Sequence, residues 1–212
     1  MNIWNFWADK YERLWVQKYS LKPTRDYIVE EFKNIEKGKV LDIGSGPGQL
    51  LSDISSNNGE LELSGLDFSQ EMIRISKEKN PNAKHYFMNV EQLDELNEIF
   101  DYIISTHSLP YYKNPELIVE KINNLLSDEG KFFIAFASGD NCYDKLALSF
   151  VKLTTGPANY PSDREFRRII SPYFEVKKMQ IIRVKKFMPR IAVYTLSKLK
   201  EGRANEDIID QA

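Results

Sequence analysis

The chain has 212 residues, 42% of them hydrophobic, and a formal net charge of −2. That is enough for one α/β domain with a complete core and too little for two, and so small a net charge gives little general attraction to nucleic acid. No apolar run is long enough to span a bilayer, and the lone Cys142 excludes an internal disulfide framework. Two distant histidines, His85 and His107, without cysteine pairs argue against a zinc site. The start, MNIWNFWADKYERLW, interleaves aromatics with charges and does not read as a leader peptide. The expectation is a soluble cytoplasmic protein with neither a membrane segment nor a bound metal.

Residues 3–19 carry Ile3, Phe6, Trp7, Tyr11, Leu14, Trp15 and Tyr19 at mixed helical spacings. Pro23 and Thr24 open a helix over 24–35, in which Tyr27, Ile28, Phe32 and Ile35 form one apolar stripe, and Lys37-Gly38 ends it. Residues 1–37 thus read as a helical cap. A strand from Val40 to Ile43 leads into a glycine loop and a crossover helix over 49–56. A strand closing on Asp67 follows, then a helix over 69–79 stopped by Asn80-Pro81-Asn82. Strands from Lys84 to Met88, Phe100 to Ser105 and Lys131 to Ala137 come next, with a helix from Pro115 to Leu126 before the last of them. Strands alternating with helices imply a parallel, doubly wound sheet, so 38–137 forms the ligand-binding core. Residues 138–172 read as an insertion with helices over 141–153 and 162–170, on the edge where ligands bind in open α/β sheets. Strands over 173–184 and 190–199, turning at Met188-Pro-Arg190, are joined so briefly that they must form an antiparallel hairpin across 173–199. Residues 200–212 are a tail.

The richest stretch is KVLDIGSGPGQLL, from Lys39 to Leu51. Val40, Leu41 and Ile43 suit a buried parallel strand, and Gly44, Gly46 and Gly48 then allow positive φ and leave no Cβ between backbone and ligand. The second strand, Glu62-Leu-Ser-Gly-Leu-Asp67, also ends on an acid, which in a βαβ unit lies beside the first loop and accepts ribose hydroxyls. Two ligands compete, a dinucleotide and S-adenosylmethionine. The dinucleotide fingerprint places a third glycine where this chain has Gln49, and Asp42 would oppose a pyrophosphate while suiting an ammonium and a sulfonium. The loop favours the cation.

VLDIGSGPGQL, GLDFSQEMI, MNVEQL, FDYIISTHSLPYY and LLSDEGKFFIAF follow one another in this order across 38–137, with a weaker pattern reaching 199. This set resembles the class I S-adenosylmethionine-dependent methyltransferases, in their small single-domain subgroup. The resemblance implies an α/β, doubly wound, Rossmann-like fold: a seven-stranded, mostly parallel sheet with a C-terminal antiparallel hairpin and helices on both faces. It implies S-adenosyl-L-methionine as cofactor and S-adenosyl-L-homocysteine as product. Residue by residue, it implies that the backbone of Gly44, Ser45, Gly46 and Gly48 faces the methionine portion, with Asp42 toward its ammonium and Asp67 on the ribose diol. Phe68 and Met72 would line the adenine, although both residue types serve equally as core. Asn89, where family members often carry Asp, would accept from the adenine amino group, with the Val90 N–H donating to a ring nitrogen. Ser105 would sit beneath the sulfonium, and Tyr11 and Arg25 would reach the cofactor's carboxylate, a solvated Arg25 being the alternative.

Methyl transfer from a sulfonium is an in-line displacement in which alignment matters most, and a hydroxyl or protonated amine acceptor also gains from a general base. His107, just past the fourth strand in STHSLPYY, is placed for this role, with Tyr111 and Tyr112 beside it as further catalytic candidates; a loop imidazole bonded to backbone is the competing reading. His85, at the start of a buried strand, reads as structural, and Cys142 as an inert small hydrophobe. No Asn-Pro-Pro-aromatic motif follows the fourth strand, which speaks against nucleobase amino groups or protein glutamine as acceptors. Residues 161–200 hold 11 Lys/Arg against 3 Asp/Glu, among them Arg164, Arg167, Arg168, Lys177, Lys178, Arg183, Lys185, Lys186 and Arg190. These read either as solvated faces of a helix and two strands or as a patch for RNA or an acidic small molecule. The leading expectation is an enzyme methylating oxygen or nitrogen of a small molecule, in a pocket walled by aromatics such as Trp4, Trp7, Trp15, Tyr143, Phe150 and Tyr160. An RNA methyltransferase and a non-catalytic cofactor-binding module are the alternatives.

Overall fold

The computed structural model describes residues 20–139, 144, 148, 158–185 and 188–200. The expected helix over 3–19, with Tyr11, most of the expected helix over 141–153, with Cys142, and the tail from 201 lie outside the described residues. Seven strands, β1 (Gly38–Ile43), β2 (Leu61–Asp67), β3 (Lys84–Phe87), β4 (Phe100–Thr106), β5 (Leu126–Ala137), β6 (Phe174–Ile182) and β7 (Ile191–Lys198), form one sheet in the order 3-2-1-4-5-7-6. All neighbours are parallel except β7, which runs antiparallel to both β5 and β6. β1 lies between β2 and β4, so the order reverses there. The crevice at that reversal, beyond the carboxyl ends of the strands, is where open α/β sheets hold ligands.

Strand periodicity builds two cores. In β1, β4, β5 and β7, alternate residues such as Leu41, Ile103, Phe132, Ile134 and Tyr194 enter one cluster together with α4 (Pro115–Leu125) and α5 (Asp163–Ile170). Val40, Ile104, Phe133, Ala135 and Val193 enter the other, under α1 (Lys22–Phe32) and α2 (Gln49–Asn57). α3 (Gln70–Lys79) begins at Ser69, whose hydroxyl accepts the Met72 N–H. Phe136, Phe166 and Tyr194 pack ring to ring beneath α5.

Three boundaries differ from the sequence expectation. β5 starts at Leu126, pairing with Phe100, and its register jumps before Lys131 meets Tyr102; the polar Ser127-Asp-Glu-Gly130 stretch is a bulge inside the strand. Gly130 is needed there because a Cβ would run into Leu126. α1 stops at Phe32, and the β6–β7 connection runs over 183–190, longer than the expected Met188-Pro-Arg190 turn. Two short 3-10 helices, Val90–Glu95 and Leu109–Tyr111, escaped the sequence reading because neither is long enough to show a period.

Candidate active site

The three glycines of the first loop all have positive φ, +76°, +53° and +75° at Gly44, Gly46 and Gly48, but they serve different ends. The N–H groups of Gly44 and Ser45 donate to the Leu66 carbonyl, and the Gly46 N–H donates to Asp67 Oδ2 at 3.0 Å. A Cβ on Gly46 would meet nothing, since it faces open cavity, whereas a Cβ on Gly48 would collide with the side chains of Ser76 and Asn80 of the α3 region. Gly48, expected to face the ligand, is thus the close-packing glycine between α2 and α3, and its carbonyl accepts the Asn80 side-chain amide. Ser45 turns its side chain over Gly65 of β2, away from the cavity.

Two carboxylates meet behind this loop. Asp67, 7% exposed, accepts from the N–H groups of Gly46 and Ser69. Burial raises its pKa, and the backbone donors of Ser69, Gly46 and Phe68 oppose the rise. Asp42, in the middle of the sheet, is 2% exposed with Oδ1 lacking a partner among the described residues. Burial, with repulsion from Asp67 second, pushes its carboxyl up to about 7. A buried carboxylate beside another, with no cation between them, is costly unless a cation arrives.

In front of the loop lies a cavity of 280 Å³. Gly44, Gly46, Asp67, Phe68, Met72, Asn89 and Val90 line one part, and Thr106, His107, Ser108, Tyr111, Tyr112 and Lys113 another. Phe68 is 46% exposed and so is no core residue, while Met72 is buried and touches both core and cavity. Asn89 caps the first 3-10 helix: its Oδ1 accepts the Glu91 N–H, and its own N–H donates to Gln92 Oε1. Val90, as the first residue of that helix, presents an N–H that the helix itself leaves unused.

The β4 side is built from side chains. Ser105 Oγ lies 2.6 Å from Ser108 Oγ and 2.9 Å from the Tyr112 hydroxyl, and Ser108 lies 3.0 Å from that hydroxyl. Ser105 is fully buried behind this cluster, and Ser108 is the member that reaches the cavity together with Tyr112. Burial raises the Tyr112 phenol, with the two serine hydroxyls opposing. His107 alone among the described non-glycine residues has positive φ, +60°. Its N–H donates to the Ala135 carbonyl at 2.7 Å, its Nε2 lies 3.1 Å from Thr24 Oγ1, and burial pulls the imidazole down to about 4.

The structure therefore brings Gly44, Gly46, Asp67, Phe68, Met72, Asn89, Val90, His107, Tyr111 and Tyr112 to one cavity. Asp42, Ser45, Gly48 and Ser105 stand behind its wall, and Arg25 instead pairs with Asp53 of α2 at 2.7 Å. His85 Nε2 faces the Asn80 carbonyl, as a structural imidazole. Thr106, Ser108 and Lys113 also line the cavity, and only their position at the end of β4 or just after it signals them in the sequence. Of the basic C-terminal residues, Lys178 pairs with Glu31, Arg183 with buried Asp144, Lys177 with Glu175 and Arg190 with Asp163, while Arg167 covers the Tyr194 ring. No group of three or more His, Cys, Asp or Glu among the described residues is arranged to hold a metal, and none of their helices is long and apolar enough to cross a membrane.

A seven-stranded 3-2-1-4-5-7-6 sheet with a glycine loop after β1 and an acid ending β2 defines a class of Rossmann-like nucleoside-binding proteins. Residues 41–132 match the family model described as a methyltransferase domain. A carboxy-S-adenosyl-L-methionine synthase from Nitratiruptor sp. is 30% identical over 143 residues, 62% of this chain and 57% of that protein. Among solved structures, a chain of a Haloferax volcanii complex containing the Trm112 methyltransferase activator superposes with TM-score 0.76 at 14% identity, covering 94% of this chain and 99% of that one. Magnesium protoporphyrin IX methyltransferase from Synechocystis PCC 6803, with bound S-adenosylhomocysteine, superposes with TM-score 0.73 at 16% identity, covering 92% and 98%. Over residues 41–132 the chain is thus similar to methyltransferase domains, and its fold is that of solved S-adenosylmethionine-dependent methyltransferases. It spans 37% to 66% of the length of the first curated relatives it matches.

Proposed function

We propose that this chain transfers the methyl group of S-adenosylmethionine to an oxygen or nitrogen of a small-molecule acceptor, and that one observation carries the reading: the cavity joins the glycine loop and Asp67 to an imidazole held neutral. The residues fit the cofactor's chemistry. Gly46 leaves open space where a Cβ would stand, Asp67 keeps lone pairs for a ribose diol, and buried Asp42 lacks the cation that would favour its ionised form. Phe68, Met72, Asn89 and Val90 supply an apolar wall with an amide and an N–H at its edge, suited to adenine. When bound, the sulfonium supplies an activated methyl group, so the protein's tasks are alignment and removal of the acceptor's proton.

His107 takes that second task. With its pKa near 4 it is uncharged throughout the physiological range, so its lone pair is always present, though it is a weak base. Such a base suits an acceptor whose proton becomes acidic only as its bond to carbon forms. Tyr111 and Tyr112 flank the same space and would orient the acceptor. The RNA reading is weaker, because Lys177, Lys178, Arg183 and Arg190 are each paired with a carboxylate. A cofactor-binding module without turnover would need the cavity but not His107.

The test is an acceptor screen followed by two variants. His107→Ala should lower turnover about 100-fold or more at nearly unchanged cofactor affinity, as loss of a general base does. The triple Arg164→Ala, Arg167→Ala, Arg168→Ala change should leave turnover within about twofold. Weakened substrate binding and a flattened salt dependence in the arginine variant would instead assign an RNA substrate.

A further inference from the structure

His107 has two ring nitrogens, and only one can hold the lone pair in the neutral imidazole. The surroundings decide which. Thr24, on α1 and fully buried, donates its single hydroxyl proton to the Ser20 carbonyl at 2.9 Å. Its oxygen can therefore only accept from His107 Nε2, 3.1 Å away. The backbone of His107 is fixed independently, by its bond to Ala135 of β5 and by its left-handed φ. α1 in turn is fastened where Thr24 needs it. Arg25, the next residue, pairs with Asp53, which also accepts from Gln49, which accepts from Lys79. That chain ties α1 to α2 and α3, the helices that frame the glycine loop.

We propose that Thr24 is a positioning residue for His107: its hydroxyl accepts the Nε2–H and thereby keeps the lone pair on Nδ1, available to the cavity that His107 lines. In the transfer step the acceptor's oxygen or nitrogen forms its bond to the methyl carbon as the carbon–sulfur bond breaks toward sulfur, and the acceptor's proton passes to Nδ1. This assignment rests on the reading of His107 as the base, but the tautomer is measurable without any turnover. The helical cap then contributes to chemistry through a single hydroxyl that touches no ligand.

The chain has two histidines, so nitrogen-15 histidine NMR of these 212 residues shows two imidazoles. His85 is the internal reference: its Nε2 lies 3.1 Å from the Asn80 carbonyl, which only accepts, so it too carries its proton on Nε2. Its signals are assigned with His85→Gln. At neutral pH the wild type should show His107 with hydrogen on Nε2 and a bare Nδ1, and Thr24→Ser should preserve that state. Thr24→Val, equal in shape but without the hydroxyl, should bring a population with hydrogen on Nδ1 and lower turnover at least tenfold at unchanged cofactor affinity. A wild-type His107 protonated on Nδ1 or on both nitrogens would overturn the proposal, as would a Thr24→Val spectrum identical to wild type. The wild-type and serine spectra decide the matter even if the valine variant does not fold. If the tautomer is as proposed but His107→Ala leaves transfer unaffected, the base reading fails while the anchoring by Thr24 stands.

Discussion

The two walls of the cavity are made of different material. On the β1–β2 side the ligand-facing surface is mainly main chain, with glycines at positive φ and a carboxylate pinned by two backbone N–H groups. On the β4 side it is side chain: the hydroxyls of Ser108 and Tyr112, backed by that of buried Ser105, and an imidazole hung from another helix. The first wall depends on backbone shape and so constrains residue type at fixed spacings; the second depends on contacts between distant segments and leaves no local spacing behind. A general ligand requirement is thus written locally, and the wall that would select the acceptor is written in tertiary structure.

The sharpest way to break this comparison is within the glycine loop itself. Gly46→Val should abolish measurable binding of S-adenosylhomocysteine, a loss of roughly 100-fold or more, because the new side chain enters cavity space and φ is +53° there. Gly48→Ala should instead cost about 1–3 kcal/mol of stability by overpacking Ser76 and Asn80, and thermal unfolding separates the two outcomes. If both variants lost only binding, Gly48 would have to be returned to the ligand surface.

A second test uses the buried carboxyl. The Asp42 pKa is raised to about 7, above its ordinary 3.8, so the folded protein holds that proton more tightly than the unfolded chain and loses stability as pH rises through this window. Asp42→Asn should therefore stabilise the free protein at pH 8, by on the order of 1–3 kcal/mol, and the gain should vanish by pH 4. The same change should weaken S-adenosylhomocysteine binding, since the anion facing the cofactor's ammonium is gone. Unfolding midpoints across that pH range, with and without ligand, read both effects; a destabilised variant at pH 8 would show that Asp42 already has a compensating partner.

The smallest expected effect is at Asn89. Asn89→Ala should weaken cofactor binding by about 0.5–1.5 kcal/mol, and part of this arises from fraying of the 3-10 helix whose first N–H groups it caps. Asn89→Asp keeps the cap and should bind within about threefold of wild type. Unchanged affinity in the alanine variant would leave Asn89 with the capping role alone.

Most of the fold was legible because strand and helix periods alternate cleanly and turn residues mark the ends, as at Asn80, Asn114 and Ser162. The bulge at the start of β5 was not, since Ser127 to Gly130 carries turn chemistry inside a strand. In the site, Gly44, Gly46 and Asp67 followed from spacing. Arg25 misled because a cation on a cap helix suits a carboxylate anywhere nearby, and the one it meets is Asp53 on α2. Ser108 carries no sequence signal of its own, and Thr24 only that of a helix start. Their importance comes from which hydroxyl each one meets after folding.

The central claim, that the glycine loop and Asp67 form a site for S-adenosylmethionine, is tested most directly by calorimetry of the wild type and Asp67→Ala against S-adenosylhomocysteine and NAD. The account predicts saturable binding of S-adenosylhomocysteine, weakened by about 1.5–3 kcal/mol in Asp67→Ala, with no comparable binding of NAD. Preferential binding of NAD, or an Asp67→Ala variant as tight as wild type, would contradict it.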